Sequence, residues 1–186
     1  VLLDANNTID TGTIRSQNGS VRLQTQQDIT TNNIRTGGTG GVSLNSVAGG
    51  VTVAGSLKTD DDGSAGDVSV VAEDAVSITG EIDAGGSDRS GNVTITSRSA
   101  GITAGGITTS TGRETTDEAG SVTLVSPGSI EIEFIEAEGH SSNVNRPAVS
   151  IDTRESVAIT GRISTIDNNV TNGITPVNNN SGSISI

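Results

Sequence analysis

"GNVTITSRSAGITAGGITTSTG", residues 91–112, places bulky aliphatics only at Val93, Ile95, Ile102 and Ile107, and nearly everything between them is Gly, Ser, Thr or Ala. The Val93/Ile95 pair has the period of two expected of a strand, and no helical spacing runs through the stretch. A segment this short cannot bury its inward side chains alone. The sparse aliphatics therefore need equivalent segments stacked above and below them.

The same arrangement recurs along the chain. An aliphatic-x-aliphatic triplet opens each unit, at Val1-Leu2-Leu3, Val21-Arg22-Leu23, Val42-Ser43-Leu44, Val68-Ser69-Val70, Val93-Thr94-Ile95, Val122-Thr123-Leu124, Val149-Ser150-Ile151 and Ile184-Ser185-Ile186. A small residue follows two positions on, as at Thr25, Ser46, Ala72, Ser97, Ser126 and Thr153. A second anchor then comes at Ile9, Ile29, Val51, Val76, Ile102, Ile130 or Val157. The third falls at Ile14, Ile34, Leu57, Ile82, Ile107, Ile135 or Ile163, and it too is followed two residues later by Ser, Thr or Ala.

Each unit reads as three short strands separated by polar, Gly-rich corners. Units start near residues 1, 20, 41, 67, 92, 121, 148 and 183. The predicted fold is all-β: a parallel β-helix (solenoid) with three short strands per coil, about seven coils and a single domain over 1–186. A right-handed helix is expected, because the spacing breaks the hexapeptide period of the left-handed type. At roughly 4.8 Å per coil the rod is on the order of 34 Å long. Gly55, Gly80, Gly106 and Gly161 recur at the second corner, where positive φ is expected. Phe134 intrudes just before a third anchor.

Composition fits a thin core. Ile, Val, Leu and Phe supply 44 of 186 residues, about a quarter, which would be sparse for an ordinary globule. Ten Lys and Arg stand against 22 Asp and Glu, a net charge of −12. That balance argues against nucleic acid and anionic membrane as partners. No stretch approaches the roughly 20 apolar residues of a membrane-spanning helix, so no membrane insertion is expected. Cys is absent, which excludes disulfides and thiolate metal sites within the chain.

Variation concentrates in the turn after the third strand. It lengthens from Gln17–Ser20 through Asp60–Asp67 and Ser110–Ser121 to Ile166–Ser183. In solenoids such insertions fall on one edge and form the variable side. Two outward ladders are candidate interaction faces. The third strands carry Arg15, Arg35 and Lys58, then Asp83, Thr108, Glu136 and Ser164; the cationic end could seat an anionic sugar or a neighbouring rod. The first strands carry Ser43, Ser69, Thr94, Thr123 and Ser150, a hydroxyl-rich face suited to lateral packing or to a ligand.

Chemistry finds little to work with. Glu131 and Glu136, with Asp83 expected on the adjacent coil, are the candidate carboxylates for glycoside hydrolysis, but no second signal supports them. Asp60, Asp61, Asp62 and Asp67 form a carboxylate-rich loop that is a weak candidate for Ca²⁺, as is Arg113–Gly120, and neither matches the nonapeptide calcium repeat. His140 is the only histidine, so no His-based metal site or catalytic dyad is available within the chain. No catalytic residue, cofactor or firm metal site is expected.

The units "GDVSVVAEDAVSITGEIDAGG" (66–86), "GNVTITSRSAGITAGGITTS" (91–110) and "GSVTLVSPGSIEIEF" (120–134) resemble the repeat body of filamentous-haemagglutinin-like exoproteins of the two-partner secretion pathway, with a cyanobacterial flavour. That resemblance implies export through an outer-membrane pore protein and an extracellular or cell-surface adhesin or fibre. The Asn-Pro-Asn string of the family's secretion domain is missing, so the segment corresponds to the shaft, and no receptor-binding residue carries over. Both ends lack a polar cap, which leads us to expect part of a longer β-helix or end-to-end stacking. The expected role is a non-enzymatic structural or adhesive shaft that associates with itself, end to end or laterally, or with a carbohydrate or other cell-surface receptor. The alternatives are an enzyme acting on acidic polysaccharide and an ice- or surface-binding β-helix.

Overall fold

The aliphatic triplets stack in register. The computed structural model describes residues 1–59, 63–111, 119–139, 148–165 and 183–186. In it the first strands, from Leu2–Ala5 through Val21–Thr25, Val42–Ser46, Val68–Ala72, Val93–Ser97, Val122–Ser126 and Ala148–Thr153 to Ser183–Ser185, form one eight-stranded parallel sheet in chain order. Val68 lies opposite Val42 on one side and Val93 on the other, and Val93 opposite Val122. The second and third strands build two further parallel ladders. The described residues hold no helix. The chain is a β-solenoid of stacked coils.

All three anchor sets point inward. Leu23, Ile29, Ile34, Leu57, Ile82, Ile95, Ile107, Leu124 and Ile135 are fully buried and belong to one continuous core. The strands are only two to seven residues long, so each coil contributes few side chains, and the coil above and the coil below complete their burial. Cover thins at the first coil, where Val1 and Leu3 are 51% and 40% exposed.

Two of the coils depart from three separate strands. Ile102–Thr108 and Ile130–Glu136 each run through the second corner as one seven-residue strand, joining the second and third ladders. Gly106 and Phe134 face each other across this junction. A Cβ on Gly106 would overlap the Phe134 ring, so the glycine makes the space that the only aromatic residue fills.

The corner glycines act differently from expectation. Gly38 is the only described glycine with positive φ, at 60°, and Gly55, Gly80, Gly106 and Gly161 do not adopt it. Close approach of the neighbouring coil is what requires them: backbone against Gly80 and Gly161, the Asn33 side chain and Asn32 carbonyl against Gly55, and the Phe134 ring against Gly106. A Cβ on Gly80 would sit 2.8 Å from the Gly55 carbonyl, and one on Gly105 would sit 2.7 Å from the Gly80 carbonyl oxygen. Gly105, and not Gly106, therefore continues that column. A second column runs through Gly40, Gly66, Gly91 and Gly120 at the exit of the variable turns, where each glycine's missing Cβ lets it rest on the backbone of the glycine below.

Candidate functional site

The buried hydroxyls give the first and third corners their character. At the first corner most bond along the rod axis, although Ser97 and Ser126 also have a carbonyl of their own turn in reach, Ala100 at 2.9 Å and Gly128 at 3.1 Å. Thr25 instead accepts the Gln27 N–H at 3.3 Å. Ser46 Oγ donates to the Gln27 carbonyl at 2.5 Å, Ser97 Oγ is 2.8 Å from that of Asp74, Ser126 Oγ is 2.5 Å from that of Ala100, and Thr153 Oγ1 donates to that of Gly128 at 2.7 Å. Each acceptor lies in the turn of the preceding coil. Ala72 occupies the equivalent position in the fourth coil and has no hydroxyl to give.

At the third corner the hydroxyls bond across the loop base within their own coil. Thr36 Oγ1 donates to the Gly40 carbonyl, Thr59 Oγ1 to that of Gly66 at 2.6 Å and Thr109 Oγ1 to that of Gly120 at 2.9 Å. The acceptors are members of the stacked glycine column. The residue separation grows from four to seven to eleven while the closure stays the same. The start of the next coil is thus held whatever length of chain lies between.

Both ladders read from the sequence align, but Ser164, expected on the outer face, is buried, and its Oγ donates to Glu138 at 2.5 Å. Arg15 lies opposite Arg35, Arg35 opposite Lys58, Lys58 opposite Asp83, Asp83 opposite Thr108, Thr108 opposite Glu136 and Glu136 opposite Ser164. The cationic run ends in an ion pair: Lys58 Nζ donates to Asp83 Oδ2 at 3.1 Å. On the other ladder Ser43, Ser69, Thr94, Thr123 and Ser150 align, with Arg22 standing opposite Ser43 at the head. A further hydroxyl column was missed. Thr30, Thr52, Ser77 and Thr103 align on the outer face of the second strands, between Asp10 and Glu131. The signal was present in the sequence as the residue after each second anchor.

The carboxylates are placed otherwise than the sequence suggested. Asp83 lies two coils from Glu136, with Thr108 between, and not on the adjacent coil, because the Ile102–Thr108 strand intervenes. Asp83 also accepts the Gly85 N–H at 3.1 Å. Glu136 Oε1 accepts from Arg162 Nη2 at 2.6 Å, and these hydrogen bonds, followed by the charge of Glu136, push the Arg162 guanidinium above its ordinary pKa. Asp67 works as a backbone tie: its Oδ1 accepts the Asn92 N–H at 2.8 Å, while Asn92 Oδ1 accepts the Ser121 N–H at 2.9 Å. Asp60, Asp61, Asp62, His140 and most of the Arg113–Gly120 and Ile166–Ser183 loops lie outside the described residues. Among the described residues no group of three or more His, Cys, Asp or Glu is placed to hold a metal ion.

A shallow concave surface lies on the exterior of the described residues. A depression of about 290 Å³ lies beside the first corner of the fifth, sixth and seventh coils, lined by Thr96, Arg98, Val125, Pro127, Asp152 and Arg154 together with Ser97 and Ser126. The outward positions Thr96, Val125 and Asp152 stack in register. Neither the cationic ladder nor the aligned hydroxyl faces contribute to it. No family model, curated protein or solved structure matches the chain.

Proposed function

We propose that this chain is a non-enzymatic shaft: a stiff spacer in a secreted, surface-exposed or filamentous protein that sets distance along its axis and displays loops along one edge. The observation that carries the reading is the loop closure at the third corner. Chain of different lengths is inserted there while Gly40, Gly66, Gly91 and Gly120 keep their stack. A scaffold that accepts insertions on one edge without disturbing its core is suited to presentation. The resemblance to two-partner secretion exoproteins supports the same reading, with export through an outer-membrane pore and a cell-surface or carbohydrate receptor as partners.

The carboxylates fit a structural role, since Asp83 and Glu136 hold ion pairs with cations of neighbouring coils. Incubation with acidic polysaccharides tests this directly. The shaft reading expects no new chain ends. Depolymerisation that disappears in Glu136→Gln would replace the reading with an enzymatic one. The Thr30–Thr52–Ser77–Thr103 column favours a second reading as an ice- or surface-binding face. It is a single column; the positions two residues on are Asn32, Ala54, Thr79 and Gly105, so no regular two-dimensional array forms. A thermal-hysteresis measurement decides between them, and the shaft reading expects none.

A further inference from the structure

The depression beside the first corner arises from a difference between neighbouring coils. The sixth coil contributes short apolar side chains, Val125 and Pro127, while the coils on either side contribute Thr96 and Arg98, and Asp152 and Arg154. The middle coil is the floor and the outer two are walls. Arg98 and Arg154 follow the first strand at the same offset as Pro127, so their backbones stand two coils apart, roughly 9.6 Å. Two guanidinium groups thus flank one apolar floor, with a carboxylate and a hydroxyl on the adjoining column.

These charges are poorly satisfied by the protein itself. The nearest carboxylate to Arg98 is Glu73 at 3.9 Å, the long limit for an ion pair, and both side chains are substantially exposed. Asp152 and Arg154 line the same depression, yet no side-chain hydrogen bond or ion pair engages either among the described residues. The net charge of −12 does not prevent an anion from approaching. At physiological ionic strength screening acts within about 8 Å, so the local arginines decide what binds here.

We propose that this groove binds a carboxylated sugar unit, a uronate within an acidic polysaccharide. Arg98 and Arg154 take the carboxylate from opposite sides through charge-assisted hydrogen bonds. Asp152 accepts hydrogen bonds from ring hydroxyls and repels a second anionic group at its own wall, which separates a uronate from a densely sulfated chain. Val125 and Pro127 lie against the C–H face of the ring. The site is separate from the shaft role: a rod that fails to bind sugar is still a rod, and the polysaccharide-cleavage assay reports on that reading independently.

Titration calorimetry with a short oligogalacturonate, its methyl ester and acetate tests the proposal. The acid form is expected to bind, and the ester to bind at least about tenfold more weakly, since it lacks the charge both arginines require. Arg98→Ala and Arg154→Ala should each cost about tenfold, and Pro127→Arg, which fills the floor, should abolish binding. Arg15→Ala, on the distant cationic ladder, should leave it unchanged. Circular dichroism and thermal melting confirm that each variant is folded. Absence of binding by the acid form, equal binding of acid and ester, binding by acetate as tight as by the oligomer, or unaltered affinity in folded Pro127→Arg would each overturn the proposal.

Discussion

The first and third corners of this solenoid use the same chemical device, a corner hydroxyl on a backbone carbonyl, in two main directions. Ser46, Ser97, Ser126 and Thr153 reach to the preceding coil, so the first turn must lie in register with its neighbour. Thr36, Thr59 and Thr109 reach across their own loop and close its base. Among the described residues, inter-coil pairing in the third turns is limited to short stretches such as Ser64 with Arg89 and Gly86 with Thr111. Insertions accumulate at the third corner and not at the first. A bond along the axis fixes turn length, whereas a bond across the base leaves it free.

The largest expected effect comes from putting the same insertion in the two places. Three residues added between Arg98 and Ser99 interrupt the bonds of Ser97 and Ser99 to the coil below and should cost about 3 kcal/mol, from several lost hydrogen bonds. The same insertion between Asp61 and Asp62, inside the loop closed by Thr59 and Gly66, should cost about 0.6 kcal/mol or less. Chemical denaturation of both proteins measures the difference, and equal losses would remove the distinction between the corners.

Glycine substitution comes next. An added Cβ on Gly91 meets the Gly66 backbone, which cannot move aside without shifting the coil, so Gly91→Ala should cost about 1–3 kcal/mol. Gly63, in the variable turn, has only the end of Asp88 within reach, at 3.7 Å, and Gly63→Ala should be close to neutral by the same assay. Smaller still, Ser97→Ala removes a hydroxyl that bonds the Asp74 carbonyl and accepts the Ala100 N–H and should cost about 1–2 kcal/mol, while Ala72→Ser adds the hydroxyl that the fourth coil lacks and should recover up to about 1 kcal/mol. Melting curves of the single and double variants check both signs. The smallest effect belongs to the outer face: Lys58→Ala, breaking a partly exposed ion pair with Asp83, should cost less than about 1 kcal/mol and vanish in high salt.

The inward pattern was legible because a period of two and a recurring unit leave few ways to bury Val93, Ile95, Ile102 and Ile107. The outward ladders followed from the same alignment. What the sequence left ambiguous was register at the second corner. "AGGIT" offers two glycines, and only the stacked backbone shows that Gly105 continues the Gly80 column while Gly106 makes room for Phe134. The hydroxyls illustrate the same limit. Small residues were expected to fit the corners, but Ser97 and Thr109 look alike in sequence. Only the stacked coils show that Ser97 has the Asp74 carbonyl of the preceding coil in reach beside that of its own turn, whereas Thr109 bonds across its own loop. The groove was hidden for a further reason: Arg98, Pro127 and Arg154 are far apart in the chain, and their offsets matter only once three coils are stacked.

All of this rests on each coil being a repeat of its neighbour, held by register and not by its own sequence. Deleting Gly91–Ala119 tests that most directly, because it joins Ser90 to Gly120 and brings Val122 over Val68 in the phase that Val93 held. The shortened chain is compared with one lacking only the ten residues 94–103, using denaturant unfolding and solution scattering. Modular stacking predicts that the first still unfolds cooperatively and is shorter by about 4.8 Å, while the second loses its cooperative transition. Comparable loss of folding in both would contradict it.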